Sequence, residues 1–179
     1  MKQLIFIMIT IVLLSGCIFT PPESEVVTPK EIETSHEKNS SKKVWGDVAA
    51  METNPLLKTA KELLGTPYVF GGMSPEGFDC SGFVAYVYAR GVGKMLPRTA
   101  FAQSTTGEII DWADLIPGDI LCFDTSDEGN VNHTGIYLGK GDFIHASSGN
   151  IYSVTISNMQ SGFYQKAFRW GVRVSYSQP

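Results

Sequence analysis

Apolar positions change their spacing near the middle of the chain, from a helical period to the short runs that are typical of strands. From residue 54 onward, leucine and alanine recur at helical spacing as far as Gly65-Thr66-Pro67, which predicts a first helix. A second helix is predicted from Cys80 to Ala89, because Asp79 stands at the N-cap position and Gly91 and Gly93 follow as terminators. Both predicted helices therefore precede the strands.

Short runs rich in β-forming residues fill the second half of the chain. They cover residues 119–123, 134–138, 143–146, 152–156 and 167–174. Clusters of Gly, Asn and Asp separate them and predict tight turns, of which Gly139-Lys140-Gly141-Asp142 is one. Helices followed by a meander of strands indicate an α+β fold, with N-terminal helices packed on an antiparallel β-sheet.

The first residues form a pattern of their own. Met1-Lys2-Gln3 gives a short positive start, residues 4–14 are almost entirely apolar, and small residues then lead to Cys17. This order is typical of a secretory signal, whereas a membrane-spanning helix needs roughly 20 apolar residues. Leu14-Ser15-Gly16-Cys17 also resembles the lipobox of bacterial lipoproteins, which implies a signal peptide over 1–16 and a lipid on Cys17. An ordinary signal peptide with an incidental cysteine is the alternative.

Composition divides the remainder of the chain into a tether and one domain. Residues 17–50 contain prolines and many polar residues but few large apolar ones, so we expect a flexible tether there. Residues 51–179 are expected to form the folded domain, and 43% hydrophobic residues in a chain of 179 suit one core. The net charge of −4 argues against nucleic-acid binding, which usually needs a basic surface.

Of the three cysteines, one stands where a nucleophile is expected. Cys80 begins the second predicted helix, where unpaired N–H groups and partial positive charge favour the thiolate. Cys122 lies within an apolar run, which predicts a buried residue that behaves as a small hydrophobe. A disulfide between the two is an alternative in an exported protein, although Cys122 in a strand would have to reach a helix end.

Two of the three histidines fall on neighbouring predicted strands, and His36 falls in the tether. If the turn at residues 139–142 makes a hairpin, His133 can lie close to His145. A thiolate, an imidazole base and a polar group that orients the base are the components of nucleophilic acyl transfer. A zinc site built from Cys80 and both histidines, or a pair of purely structural histidines, are the alternatives.

Six sequence blocks, in order, resemble those of the NlpC-type family, the papain-like cysteine peptidases of bacterial cell walls. The three signature blocks are Asp79-Cys80-Ser81-Gly82-Phe83, His133-Thr134-Gly135-Ile136-Tyr137-Leu138-Gly139 and Phe143-Ile144-His145-Ala146. The other three are Gly65-Thr66-Pro67-Tyr68-Val69-Phe70-Gly71-Gly72, Pro97-Arg98-Thr99-Ala100 and Pro117-Gly118-Asp119. The resemblance covers residues 54–174 and implies a papain-like fold.

The resemblance also implies a role for each matching residue. It makes Cys80 the nucleophile, His133 the general base and later acid, and His145 the residue that orients His133. Four further positions match residues associated with holding the substrate: Tyr68, Asp79, Ser81 and Arg98. Gln103 lies just after the block Pro97-Arg98-Thr99-Ala100, and we expect it on the surface.

The activity that the resemblance implies is hydrolysis of amide bonds in peptidoglycan stem peptides, usually between γ-D-glutamate and a diamino acid. No cofactor and no metal are expected. The expected partners are stem peptides and, through the lipid anchor, a bacterial membrane, which is either the outer membrane or the outer face of the cell membrane. We expect a monomer. An amidase or acyltransferase of the same fold, or a non-catalytic envelope lipoprotein, are the competing hypotheses, and a mere binder would not need the Cys-His-His set.

Overall fold

The computed structural model describes residues 54–176, and its two longest helices precede the main strands, as predicted. The helices are α1 (Pro55–Glu62), α2 (Cys80–Val92), α3 (Ala100–Gln103) and α4 (Gly162–Ala167), with a short 3-10 helix at Trp112–Asp114. The strands are β1 (Met73–Ser74), β2 (Gly77–Phe78), β3 (Glu108–Ile110), β4 (Ile120–Phe123), β5 (His133–Gly139), β6 (Asp142–Ala146), β7 (Val154–Asn158) and β8 (Phe168–Arg173).

Six of these strands form one antiparallel sheet in the order β3-β8-β4-β5-β6-β7. Strands β5 and β6 make the predicted hairpin, with Ile136 opposite Ile144 and Gly139 opposite Asp142 at the turn. Strand β7 then pairs with the outer side of β6. The β1–β2 pair forms a small sheet of its own, immediately before α2.

The sheet is buried on both faces, which explains why its central strands are almost continuously apolar. In β4, Ile120 and Cys122 belong to the core shared with α1 and α2, whereas Leu121 and Phe123 belong to a second core on the opposite face, to which α4 contributes. Because successive side chains of a strand point to opposite faces, both sets must be apolar. A strand of this kind loses the polar alternation of a half-exposed strand.

The predicted end of the second helix is wrong at one glycine. Helix α2 continues through Gly91 and ends at Gly93, which has the left-handed φ of 67° expected of a C-cap glycine. At Gly91 a Cβ atom would lie 2.8 Å from the Cα atom of Leu56 in α1. This glycine therefore serves the close approach of two helices rather than the termination of one.

Other differences from the prediction concern short elements and strand ends. The strand predicted at 152–156 begins later, at Val154, because Tyr152 has a positive φ of 53° in the preceding turn. Strands β1, β2 and β3 have two or three residues each, which is too short for a periodic pattern to predict. Helices α3 and α4 are similarly short and were not predicted.

The predicted signal peptide and tether, with Cys17 and His36, lie outside the described residues. Within residues 54–176, no helix has both the length and the apolar character needed to span a membrane.

Candidate active site

Cys80 is the first residue of α2, and its position depends on the loop that covers the helix start. The Asp79 carboxylate caps the helix by accepting the N–H of Gly82 at 2.7 Å, as the sequence predicts. The N–H of Asp79 in turn donates to the carbonyl oxygen of Gly72 at 3.1 Å. A Cβ atom at Gly82 would lie 2.1 Å from that same oxygen. Glycine at position 82 therefore allows the loop to close over the residue next to the thiol.

The thiol lies against the beginning of β5. Its Sγ atom is 3.8 Å from the carbonyl oxygen of Asn132, and the backbone N–H of Thr134 also reaches the sulfur. These two residues flank His133, so the backbone on both sides of the histidine contacts the cysteine. Cys80 as a whole residue is only 9% exposed.

His133 and His145 are hydrogen-bonded to each other, as the hairpin prediction requires. Nε2 of His133 lies 2.8 Å from Nδ1 of His145, and the two rings are nearly perpendicular. His133 is buried and His145 has no exposed surface. Burial lowers the pKa of His133 to about 4. Burial and the nearby His133 together lower the pKa of His145 to about 2, so both rings are neutral at neutral pH.

The second nitrogen of His145 has a partner that the sequence did not indicate. Nε2 of His145 lies 3.0 Å from the Oγ atom of Ser157 in β7, and Ser157 in turn hydrogen-bonds to the hydroxyl of Tyr164 in α4. The Tyr164 ring packs edge-on against His145, with centroids 5.4 Å apart, and stacks near His133. No local motif marks Ser157, since its position follows from the pairing of β7 with β6.

The electrostatic environment of Cys80 differs from the prediction. Burial raises the pKa of the thiol, and the charge of Asp79 acts in the same direction. The N–H groups of Thr134, Ser81 and Cys80 itself lower that pKa, which is the effect expected of a helix start, but burial outweighs them. At rest the Cys80 thiol is therefore protonated rather than a preformed thiolate, and the His133 imidazole is neutral.

The candidate substrate-binding residues gather around the start of α2. Arg98 forms a two-pronged ion pair with Asp79, at 2.5 Å and 3.0 Å, and its Nη1 atom also donates to the Ser81 hydroxyl at 3.1 Å. Burial acts to raise the pKa of Asp79. Hydrogen bonds from Arg98 and from the N–H of Gly82 outweigh that effect and hold this pKa below its ordinary value. Asp79 is therefore ionised at neutral pH.

Tyr68 lies beside the same group, with its ring edge-to-face against Tyr152 at 5.2 Å. Burial raises the pKa of its phenol, and the negative charges of Asp79 and of Cys80, once the thiol is ionised, raise that pKa further. The four residues predicted to hold substrate are thus assembled around Cys80. Their roles stay predictions.

Gln103 is buried rather than on the surface, so that prediction is wrong. Its amide nitrogen donates to the carbonyl oxygens of Ser81 and Pro97, both at 2.9 Å, and its amide oxygen accepts from the Thr134 hydroxyl at 3.1 Å. These bonds connect α3 to the start of α2 and to β5. Gln103 therefore helps to hold the segments of Cys80 and His133 together.

The disulfide and the zinc site, two of the alternatives, find no support among the described residues. Cys80 and Cys122 are both free thiols, and Cys122 is fully buried in β4, as predicted for a small hydrophobe. Within the part of the chain that the structure describes, no group of three or more His, Cys, Asp or Glu side chains is arranged to hold a metal ion. The facing nitrogens of His133 and His145 instead bond to each other.

One known protein family matches the region of the chain that contains the site. Residues 65–173, more than half of the chain, match the NlpC/P60 family. The chain belongs to the NlpC/P60 family. The predicted family is thereby confirmed, and the matched region of this NlpC/P60 chain contains every candidate residue of the site described above.

Several relatives have names that agree with the predicted enzyme class. The NlpC/P60 chain is 38% identical over 134 residues to the gamma-DL-glutamyl hydrolase of Bacillus subtilis (strain 168), in a match that covers 74% of this chain and 32% of that protein. It is 40% identical over 109 residues to the probable endopeptidase NlpC of Escherichia coli (strain K12), in a match that covers 61% of this chain and 69% of that protein. It is 34% identical over 110 residues to the E. coli (strain K12) murein DD-endopeptidase MepS/murein LD-carboxypeptidase, in a match that covers 62% of this chain and 56% of that protein. The chain thus matches only about a third of the B. subtilis hydrolase.

Solved structures confirm the predicted fold of this NlpC/P60 chain. The NlpC/p60 domain of the peptidoglycan hydrolase SagA is 34% identical, with a TM-score of 0.58 over 67% of this chain and 97% of that domain. A protein described as similar to lipoprotein, NLP/P60 family, from Staphylococcus aureus subsp. aureus Mu50 is 28% identical. Its TM-score is 0.63, over 78% of this chain and 46% of that protein. The α+β, papain-like arrangement of helices on an antiparallel sheet is therefore that of the family.

Proposed function

We propose that this chain is a cysteine endopeptidase that hydrolyses amide bonds in peptidoglycan stem peptides. The observation that carries the proposal is the contact of Cys80, at the start of α2, with the backbone on both sides of His133, which is hydrogen-bonded to His145. A nucleophile, a base and a residue that orients the base are thereby provided by one chain. The names of the relatives support the same reaction class.

In this mechanism the proton moves through the nitrogen of His133 that does not face His145. Since Nε2 bonds to His145, Nδ1 takes the thiol proton while Sγ attacks the carbonyl carbon of the scissile amide. The tetrahedral intermediate places negative charge on the former carbonyl oxygen, and we assign its stabilisation to N–H groups at the start of α2. The imidazolium then protonates the leaving amine. Water, deprotonated by His133, hydrolyses the thioester and restores the thiol.

The surroundings of Cys80 favour a charged peptide end as the substrate. Asp79 is ionised and suits an ammonium group, whereas Arg98 suits a carboxylate, and the ion pair between them is only partly buried. Ser81 and Tyr68 add hydroxyl groups next to the nucleophile. We assign substrate binding to these four residues, and we propose the bond between γ-D-glutamate and the diamino acid as the one cleaved. The name of the B. subtilis relative, gamma-DL-glutamyl hydrolase, supports a γ-glutamyl bond.

Product analysis tests this assignment. Purified soluble muropeptides incubated with the chain should yield fragments cut after γ-D-glutamate, identified by mass spectrometry together with one new free amine per cleavage. Release of glycan from the peptide would instead indicate an amidase. Transfer of the acyl group to added hydroxylamine with no hydrolysis would indicate an acyltransferase. Binding without any product would contradict an enzyme altogether.

We also propose that the protein is exported and anchored by a lipid on Cys17. The lipobox-like residues before Cys17 support the anchor, as does the S. aureus neighbour described as similar to lipoprotein. Several acyl chains on one cysteine make membrane binding stable, whereas a single chain binds only marginally. Cys17→Ser should move the protein out of the membrane fraction and abolish labelling by radioactive fatty acid. Equal labelling of wild type and variant would contradict the anchor.

A further inference from the structure

The hydrogen bonds of the two histidines continue beyond them, across β7 and into α4. From His145 the contacts lead to Ser157 Oγ at 3.0 Å and then to the Tyr164 hydroxyl, which also bonds to Ser147. The Ser147 Oγ atom accepts the N–H of Gly149 at 3.2 Å. Of these residues, Ser157 is the one that hydrogen-bonds to a histidine, and it comes from a strand that carries none of the predicted site residues.

Proton transfer from Cys80 requires one arrangement of hydrogens on the two rings. His133 can accept the thiol proton on Nδ1 only if its own hydrogen is on Nε2, so Nε2–H must donate to Nδ1 of His145. His145 must then have its hydrogen on Nε2, where Ser157 is the acceptor. In the reverse arrangement, His145 donates from Nδ1, His133 has its hydrogen on Nδ1, and the base is blocked.

The requirement becomes stricter once His133 is charged. An imidazolium has hydrogens on both nitrogens, so its Nε2–H can only donate to His145. His145 remains neutral because burial and the neighbouring charge of His133 keep its pKa low. Its single hydrogen must therefore be on Nε2. If the Ser157 hydroxyl already accepts from Nε2–H of His145 before the reaction, no hydrogen has to change position on His145 when His133 becomes charged.

The surroundings of Ser157 allow it to accept from His145. The Tyr164 hydroxyl is a second hydrogen-bond partner, so the Ser157 hydrogen can be directed to Tyr164 while a lone pair accepts from Nε2–H of His145. The Tyr164 ring packs against both histidines and against Phe143, with centroids 4.9 Å apart in the latter pair, so the group is held by packing.

We infer that Ser157 is a positioning residue that accepts a hydrogen bond from Nε2–H of His145 and so keeps Nδ1 of His133 ready for the Cys80 proton. The inference rests on the proposed function, since it gives Ser157 a purpose in proton transfer by His133. It also makes a statement about hydrogen positions that can be measured without any substrate.

The first test is spectroscopic and uses the full-length chain with 15N-labelled histidine. Three histidines give few signals: replacing His36, which lies in the predicted tether, identifies its signals, and His145→Asn then distinguishes those of His145 from those of His133. In the wild type at neutral pH, His145 should have its hydrogen on Nε2 and none on Nδ1. In Ser157→Ala the two tautomers should become mixed. A wild-type His145 with its hydrogen on Nδ1 would overturn the inference, whatever the activity.

The second test is kinetic and has a matched control. Ser157→Ala should lower kcat by about 10- to 100-fold with little change in KM, as loss of a residue that orients a functional imidazole does. Ser157→Thr keeps the hydroxyl and should recover most of kcat. Ser161→Ala makes the same chemical change at an exposed serine whose hydroxyl donates to the carbonyl oxygen of Asn158, away from both histidines, and it should behave as wild type. An unchanged kcat in Ser157→Ala would refute the inference, whereas a wild type without activity would refute the proposed function and leave the tautomer measurement valid.

Discussion

Cys80→Ala is expected to release no peptide from muropeptides above background, although it folds like the wild type. Removing the sulfur removes the nucleophile, and loss of an acting catalytic residue lowers turnover by at least about 10³-fold. The fold should survive because the side chain lies at the edge of the core, at a helix start that is capped by Asp79 and not by Cys80. Turnover measured by mass spectrometry and the thermal unfolding midpoint of both proteins test the two parts of the prediction.

Cys122→Ala is the matched control, because it removes the same thiol from a fully buried position in β4. It should keep wild-type turnover and lose about 1–2 kcal/mol in the free energy of unfolding, as expected of a small cavity in the core. Alkylating reagents should inactivate the wild type and Cys122→Ala alike. Cleavage by Cys80→Ala at the wild-type rate would end the cysteine peptidase assignment.

Replacing the two histidines should have unequal effects. His133→Ala should remove nearly all turnover, because His133 moves the proton in both halves of the reaction. His145→Asn should keep measurable turnover, since an amide can still hydrogen-bond to Nε2 of His133, whereas His145→Ala should lose much more. The comparison requires kcat and KM of all three variants on one muropeptide. If His145→Asn were as inactive as His133→Ala, and if activity required zinc, the metal site would be the better hypothesis.

The pH dependence of kcat/KM checks the same pair in the wild type. The active form is a neutral imidazole beside a protonated thiol, or the ion pair with the same number of protons. Because the pKa of His133 is lowered to about 4, its basic form should persist well below pH 6.5 before activity falls. Because the pKa of Cys80 is raised, the alkaline limb should lie above pH 9.0, the ordinary value for a thiol. An acid limb at or above 6.5 would contradict a buried neutral base.

Much of the site could be predicted because local patterns encode it. Asp79 before an apolar helical stretch identifies a capped helix start, and that places Cys80 at its first turn. The glycines between β5 and β6 predict a hairpin, and the hairpin alone brings His133 to His145. Caps and tight turns depend on residues within a few positions of each other, so a sequence expresses them directly.

The sequence by itself therefore determined the two long helices, the main strands, the histidine pair and the family. Only the tertiary structure decided how far burial raises the pKa of Cys80, that Gln103 is a buried connection and that Ser157 contacts His145. Desolvation and contacts of this kind depend on segments that are distant along the chain, such as β7 beside β6. No local spacing records which of those segments covers a given side chain, because that is settled only when the sheet and helices pack together.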